Sequence, residues 1–456
     1  MLNLLKSRPP ARPVEASRVQ GRYAALRTRA LFAMFVGYAA YYFVRANFTL
    51  STPYLMKALN LSKTDIGLLS SCLLITYGLS KGVMSSIADR CNPKYYLVCG
   101  LLLSSVVNVF LGFSTAYWMF VVLVILNGVF QGMGAGPAFI IIASWFPRLQ
   151  RGRTGALWNI SHNVGGGMVA PIAVGAFALF GAEHWQAASY WAPAAAAVLV
   201  AIVVMLVGVG TTYNAGMPPL DQIVPSEVRQ ELVQTHVDHA PENMSAFQIF
   251  CECILPNKVV WFIAFVDACV YLVRFGVITW LPIYLLQVKG FSKGEMGTAF
   301  ALFEWAAIPS TLFAGVLTDK YFKGRRMPLG MACMALILIA LFFYWQAKSI
   351  LVVSISCGFI GCLIFVPQFL DGIQAIEVVP SYAAGSATGL RGIISYVVGS
   401  TLGTALIGRL VDLFGWIAGF CVLACGAVAG VAFCYLAHRG VRELEARRAA
   451  MLLVAA

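Results

Sequence analysis

Residues 41 to 48 read YYFVRANF, and residues 270 to 277 read VYLVRFGV. Each stretch sets a lone arginine, Arg45 or Arg274, inside a run apolar enough to lie in hydrocarbon. A charge at the centre of a bilayer costs from ~3 to ~15 kcal/mol according to the reference state, so such residues face a partner, a cavity or a ligand. Two of them in matched surroundings, about 230 residues apart, point to a duplicated membrane protein.

The rest of the chain fits that reading. Of its 456 residues 60% are hydrophobic and 11% charged, with a mean hydropathy of +0.80, whereas a soluble domain carries roughly 25% charged residues. Apolar runs of about 20 residues, each long enough to cross a ~30 Å hydrocarbon core as a helix, recur about twelve times. The fold class is therefore all-α and membrane-spanning, with twelve helices in two pseudo-symmetric bundles of six. One long polar interruption, Thr211 to Gln248, divides the two halves. The expected organisation is an N-terminal tail (1–28), a first bundle (29–209), a central loop (210–257), a second bundle (258–437) and a C-terminal tail (438–456). The last of these, HRGVRELEARRAAMLL, has the pattern of an amphipathic helix.

A net charge of +13 does not indicate nucleic acid, because the basic residues form no single patch. They fall in alternate loops: Lys6 to Arg29, Arg90 and Lys94, Arg148 to Arg153, Lys320 to Arg326, and Arg439 to Arg448. The intervening loops hold only Lys57, Lys63, Lys289, Lys293 and Lys348. By the positive-inside rule both termini are cytoplasmic. The first residues, rich in proline and arginine, lack the apolar core of a signal peptide. The twelve cysteines lie mainly in apolar runs, where packing explains them, and the CEC at Cys251 and Cys253 has no second pair to form a metal site. No cofactor is implied: there is no GxxxxGK[ST] loop, and no nucleophile–base pair marks an enzyme.

The duplication also relates Asp89 in SSIADR to Asp319 in GVLTDK, and Gly152 to Gly385. Four basic residues fall within apolar spans: Arg45, Lys81, Arg274 and Arg391; Arg409 falls near an interface. Any one of them alone has a bland explanation, a snorkelling side chain or an internal ion pair. Arg45 and Arg274, however, occupy equivalent places on the first helix of each half, so a pseudo-two-fold axis would bring them to a common cleft. Two facing guanidiniums repel unless an anion lies between them, and their fork matches the oxygens of a phosphate. The expected ligand is a phosphate or a phosphate ester. His162 in WNISHNVGG could donate to it, and Tyr38, Tyr42, Tyr77, Tyr271 and Tyr396 offer hydroxyls from the same helices, although each tyrosine singly is more often packing.

Two six-helix halves, with ADRCNPK and TDKYFKGRR in matching turns, resemble the major facilitator superfamily. Within it GYAAYYFVRANF, WNISHNVGGG, VYLVRFG and LPNK resemble the organophosphate:phosphate antiporter family over essentially the whole chain. The resemblance implies that Arg45 and Arg274 bind phosphate, that His162 assists and that Lys81 lies by the cleft. NFTLSTPYL, APENMSAFQIFC, FEWAAIPSTL and EHWQAASY resemble the phosphoglycerate-carrying branch more than the glycerol phosphate or hexose phosphate branches. The implied activity is import of 3-phosphoglycerate, 2-phosphoglycerate and phosphoenolpyruvate in exchange for inorganic phosphate, by a monomer in the bacterial inner membrane. The alternatives are glycerol 3-phosphate or hexose 6-phosphate exchange, or a transporter-like receptor for a phosphate ester.

Phosphoglycerates bear a carboxylate besides the phosphate, so their site needs one more cation. Arg391 is the candidate: by the duplication it matches Trp158, one helical turn from His162. Thr388 stands where the hexose phosphate carriers place an aspartate, so an unpaired Arg391 is expected; the competing reading pairs it with Asp371 or Glu304. Asp267 is expected to orient a partner near its helix end, and Asp371 has no assigned role.

Overall fold

The computed structural model describes residues 14, 18–88, 91–181, 183–218, 223, 246–322, 325–380 and 383–455, without the side chains of 148, 149, 152, 246, 247, 315, 319 and 447–455. The described residues contain helices and connecting turns and no β-strand. The first helix, α1 (Val19–Leu59), has 41 residues and closes on Asn60, whose left-handed backbone lets its amide donate to Met56 O. Eleven more helices are long and apolar enough to cross a membrane: α2 (Lys63–Ala88), α3 (Pro93–Phe113), α4 (Tyr117–Trp145), α5 (Arg153–Phe180), α6 (Ala187–Val207), α7 (Lys258–Val288), α8 (Lys293–Thr318), α9 (Met327–Gln346), α10 (Ile350–Glu377), α11 (Ala384–Phe414) and α12 (Trp416–Ala446). With α1, which is long enough but less apolar than these eleven, they make up the twelve helices expected. The C-terminal segment is helical and continues α12 without a break to Ala455.

Local sequence explains where several helices begin. Asn92 accepts a hydrogen bond from Lys94 N and Pro93 takes the first helical position of α3, where a missing amide costs nothing. Asn257 accepts from Val259 N at the start of α7. Ser292 and Glu295 form a reciprocal capping box on α8.

The chain divides into two compact units, one made of 1–60 and 75–236, the other of 61–74 and 237–456. Both units are built alike. In the first, α1 packs on α5 and α6, and α3 packs on α4 and α6; in the second, α7 packs on α11 and α12, and α9 packs on α10 and α12. Two glycines mark the corresponding close approaches. A Cβ on Gly165 would strike the carbonyl oxygen of Ala39, and one on Gly399 that of Ala268. Helices that lack a hydrophobic drive to associate in lipid gain their contact from such small residues.

The start of α2 belongs to the second unit. Asp412 of α11 caps it, accepting from Thr64 N and Thr64 Oγ1 (both 2.7 Å) and from Lys63 N (3.3 Å), while Lys63 Nζ lies 3.4 Å from the same carboxylate. Deeper along the helix Ser71 and Thr404 share a hydroxyl hydrogen bond of 2.6 Å. Cys421 and Cys425 are exposed, so core packing does not explain these two.

Candidate functional site

In the first unit the site starts from a break in α1. Val44 leaves helical geometry (φ −101°, ψ 17°), so nearby carbonyls lose their normal intrahelical donors. Side chains replace them: Asn108 Nδ2 (2.9 Å) and Asn127 Nδ2 (2.8 Å) both donate to Val44 O, and Gln131 Nε2 donates to Tyr41 O (3.1 Å). Asn47 Nδ2 donates to Asn108 Oδ1 (2.7 Å) and to Ser189 O (2.8 Å). In a membrane every backbone polar group needs such a partner. The kink is therefore held from α3, α4 and α6, and Arg45 follows it directly.

The Arg45 guanidinium lies 4.0 Å from the Tyr77 ring centre and 4.8 Å from that of Tyr42. Tyr77 Oη lies 3.4 Å from Tyr38 Oη, the Tyr38 ring 4.8 Å from Trp158, and the Tyr42 ring 5.6 Å from buried His162. Lys81 stands one turn beyond Tyr77 and interacts with it electrostatically. All six residues expected of the N-terminal half thus gather in one cluster: Arg45, Tyr38, Tyr42, Tyr77, Lys81 and His162. It is a cationic cluster packed on aromatic faces, and each such cation–π contact is worth up to ~2 kcal/mol when desolvated.

The second unit brings together Arg274, Arg391, Tyr271 and Tyr396. Arg274 Nη1 donates to Gln368 Oε1 (3.0 Å), and its guanidinium lies 4.2 Å from the Phe365 ring centre. Arg391 Nη1 reaches the main-chain oxygen of the same Gln368 at 3.4 Å. Gln368 therefore ties the two guanidiniums together. Tyr271 and Tyr396 meet edge to face at 4.9 Å, and Tyr396 lies in a π-helical turn, Ser395–Gly399, that follows Arg391. Such turns widen the helix and re-aim its side chains.

The structure corrects one expectation here. Arg391 is not unpaired: its Nη1 donates to Asp267 Oδ2 at 3.0 Å. The partner is neither Asp371 nor Glu304. Asp267 does not sit at a helix end but more than two turns inside α7, fully buried. The reason lies in the repeat. Tyr38 packs on Trp158 in the first unit, and their counterparts in the second, Asp267 at an offset of 229 residues and Arg391 at one of 233, also meet. One contact position of the fold thus carries an aromatic pair in one half and an ion pair in the other. Of that pair the arginine side chain is 16% exposed and the aspartate 1%, so the guanidinium is the more accessible member.

Sequence reasoning missed Gln368, Ser395, Asn108, Asn127 and Gln131. Ser395 was within reach, since the offset that relates Trp158 to Arg391 relates His162 to Ser395. Asp89 and Arg90 lie outside the described residues, as does the Asp319 side chain, so the expected turn contacts do too. No group of three metal-ligating side chains occurs among the described residues.

The Major Facilitator Superfamily model matches residues 34–400. The phosphoglycerate transporter protein of Salmonella typhimurium is 58% identical over 448 residues, covering 98% of this chain and 96% of that protein. A glycerol-3-phosphate transporter of Bacillus subtilis is 36% identical over 454 residues, covering 98% and 100%. Among solved structures, an inward-facing bacterial homologue of the human lysosomal transporter Spinster superposes with a TM-score of 0.68 at 18% identity, covering 92% of this chain and 98% of that one. That likeness concerns the fold.

Proposed function

The chain belongs to the Major Facilitator Superfamily, within its organophosphate:phosphate antiporter group, and we propose that it imports phosphoglycerates in exchange for inorganic phosphate. It is a multi-pass membrane transporter and not an enzyme. The proposed substrates are 3-phosphoglycerate, 2-phosphoglycerate and phosphoenolpyruvate. The observation that carries the choice is the meeting of Arg274 and Arg391 at Gln368. One guanidinium serves a phosphate and the second a carboxylate, which a glycerol phosphate lacks. The 58% identical phosphoglycerate transporter supports the same reading.

In this reading Arg45 and Arg274 grip the phosphate from the two halves, with Lys81 and His162 beside it and Tyr38, Tyr42, Tyr77, Tyr271 and Tyr396 lining the path. Clustered cations without an anion repel, and closing protein around them leaves buried charge unpaired at a cost of several kcal/mol. A bound phosphate species removes that cost, so reorientation takes place only with the site filled. Exchange follows from this restriction, as alternating access of bundles 29–209 and 258–437 in a monomer of the bacterial inner membrane with cytoplasmic termini.

Proteoliposomes loaded with labelled phosphate test the proposal. External 3-phosphoglycerate is expected to release label faster than glycerol 3-phosphate or glucose 6-phosphate. Release best driven by one of the latter two moves the substrate assignment. Release by none, from protein that binds ester, makes the chain a receptor.

A further inference from the structure

Asp371, in the last two turns of α10, is 1% exposed, and among the described residues neither of its carboxylate oxygens has a hydrogen-bond donor. It lies close enough to Asp267 and Arg391 to interact with both electrostatically. One guanidinium therefore stands before two buried carboxylates and gives its short bond to Asp267. A buried carboxylate with no donor is stable as the neutral acid rather than as the ion. With Asp371 neutral, the cluster of Arg391, Asp267 and Asp371 carries no net charge.

A second observation concerns Ser395. Its Oγ lies 2.5 Å from Asp267 Oδ2 and 2.6 Å from the main-chain oxygen of Arg391. A hydroxyl owns one hydrogen and two acceptor lone pairs. It can donate to only one of these oxygens; donating to the Arg391 carbonyl, it satisfies the other contact by accepting a proton carried on Asp267. Ser395 is thus suited to an Asp267 that alternates between ion and acid. Other titratable groups around this cluster are Cys269, Tyr271 and Arg274 on α7, Tyr396 on α11 and Cys434 on α12. Arg274, the cation among them, is turned to Gln368.

We propose that the second unit takes up one proton when an ester bearing a carboxylate binds, so that phosphoglycerate entry is proton-coupled and exchange of a carboxylate-free phosphate is not. This rests on the phosphoglycerate reading above. The ligand carboxylate takes over the Arg391 guanidinium, which is the reachable member of the pair. Asp267, parted from the guanidinium 3.0 Å away, then binds at Oδ2 a proton that enters with the ligand from solution, and donates it to Ser395 Oγ. Without that proton, displacement would break a buried ion pair from one side, which is strongly unfavourable. An ester with no carboxylate leaves the Arg391–Asp267 bond in place and draws no proton.

Calorimetric titration of the purified full chain at pH 7, repeated in buffers of different ionisation enthalpy, counts protons taken up on binding. 3-Phosphoglycerate and glycerol 3-phosphate carry the same phosphate monoester, so its own titration cancels in the comparison. The expected result is about one proton more for 3-phosphoglycerate, and loss of that difference in the Asp267→Asn/Asp371→Asn double variant. Equal counts for the two esters in the wild-type protein overturn the proposal whether or not the variant folds. A difference that persists in the folded variant overturns it as well. Binding of inorganic phosphate and glycerol 3-phosphate without any binding of 3-phosphoglycerate would instead remove the substrate reading, and this inference with it.

Discussion

Replacing Arg391 by leucine isolates the energetics of the buried ion pair. Asp267, 1% exposed, loses the guanidinium 3.0 Å away. Breaking a buried pair from one side costs about 3–5 kcal/mol, because the partner is left charged and unsolvated. Protonation sets a ceiling on that cost. A carboxyl that ionises near 3.9 in the unfolded chain needs about 4 kcal/mol to be held neutral at pH 7, at about 1.4 kcal/mol per pH unit. The expected loss at pH 7 is therefore about 3–4 kcal/mol. The sign of its pH dependence follows. The folded variant holds a proton that the unfolded chain has released, so its stability falls as pH rises and recovers by about 1.4 kcal/mol for each unit lowered toward 5. Thermal unfolding of the detergent-solubilised protein across pH 5 to 8 reads this directly, as a melting temperature whose gap to wild type narrows on acidification. The Asp267→Asn/Arg391→Leu double variant should recover most of the loss. A single variant as stable as wild type, with a gap independent of pH, would refute the reasoning. So would a double variant no better than the single. In transport, Arg391→Leu should depress 3-phosphoglycerate exchange more than phosphate self-exchange; unchanged phosphoglycerate exchange would end the carboxylate role of this residue.

Other consequences are simpler to state. Arg45→Lys keeps the charge but loses the planar fork and its stacking on Tyr77, so phosphate exchange should fall about ten- to a hundredfold with little change in melting temperature. Asn108→Leu and Asn127→Leu each remove one amide from Val44 O; each should cost about 0.6–1.7 kcal/mol, and the pair more than their sum, since only the double variant strips the carbonyl, as a double-mutant cycle would reveal. Asp412→Ala uncaps α2 and should lower stability by about 1 kcal/mol, measured by the same melts. Gly399→Ala drives a methyl into the Ala268 backbone, and size-exclusion chromatography should show little folded monodisperse protein.

How much of this was legible beforehand depended on whether a feature repeats. The spans, the halves and the paired arginines each leave a pattern, either an apolar run or a recurrence at fixed offset, and the twelve helices and both residue clusters follow from it. The residues that were missed leave none. Asn108, Asn127 and Gln131 read as ordinary polar interruptions until the break at Val44 gives them a carbonyl to serve. Gln368 stands beside Pro367 in a helix where only three-dimensional packing brings two guanidiniums to it. The pairing of Arg391 was misjudged for a related reason. Asp371 and Glu304 were the expected partners, whereas Asp267 answers Tyr38 at an offset of 229 residues and Arg391 answers Trp158 at 233, so no single offset joins the two until Tyr38 is seen to pack on Trp158.

On the proposed reading, that mismatch between equivalent positions lets a duplicated protein treat the two ends of its ligand differently. A perfectly repeated pair would place the same chemistry in both units and suit a symmetric anion such as inorganic phosphate. Here the repeated contact is Tyr38 on Trp158 in one unit and Asp267 on Arg391 in the other, while the arginines at 45 and 274 keep the repeat. The conserved half of the pattern fits the group common to every phosphate species. The broken half supplies one extra cation together with the acid that neutralises it, so the charge can be stored in the apolar unit until a second anion arrives. Storage is what makes the extra cation tolerable: an arginine added without Asp267 would face the full penalty of burial. Substitutions at 267 and 391 should for that reason be read together, and an exchange of both for the aromatic pair of the first unit, Asp267→Tyr with Arg391→Trp, should leave a folded protein that exchanges phosphate and no longer favours phosphoglycerate. Retained preference for 3-phosphoglycerate in that double variant, measured by label release from proteoliposomes, would place the selectivity elsewhere.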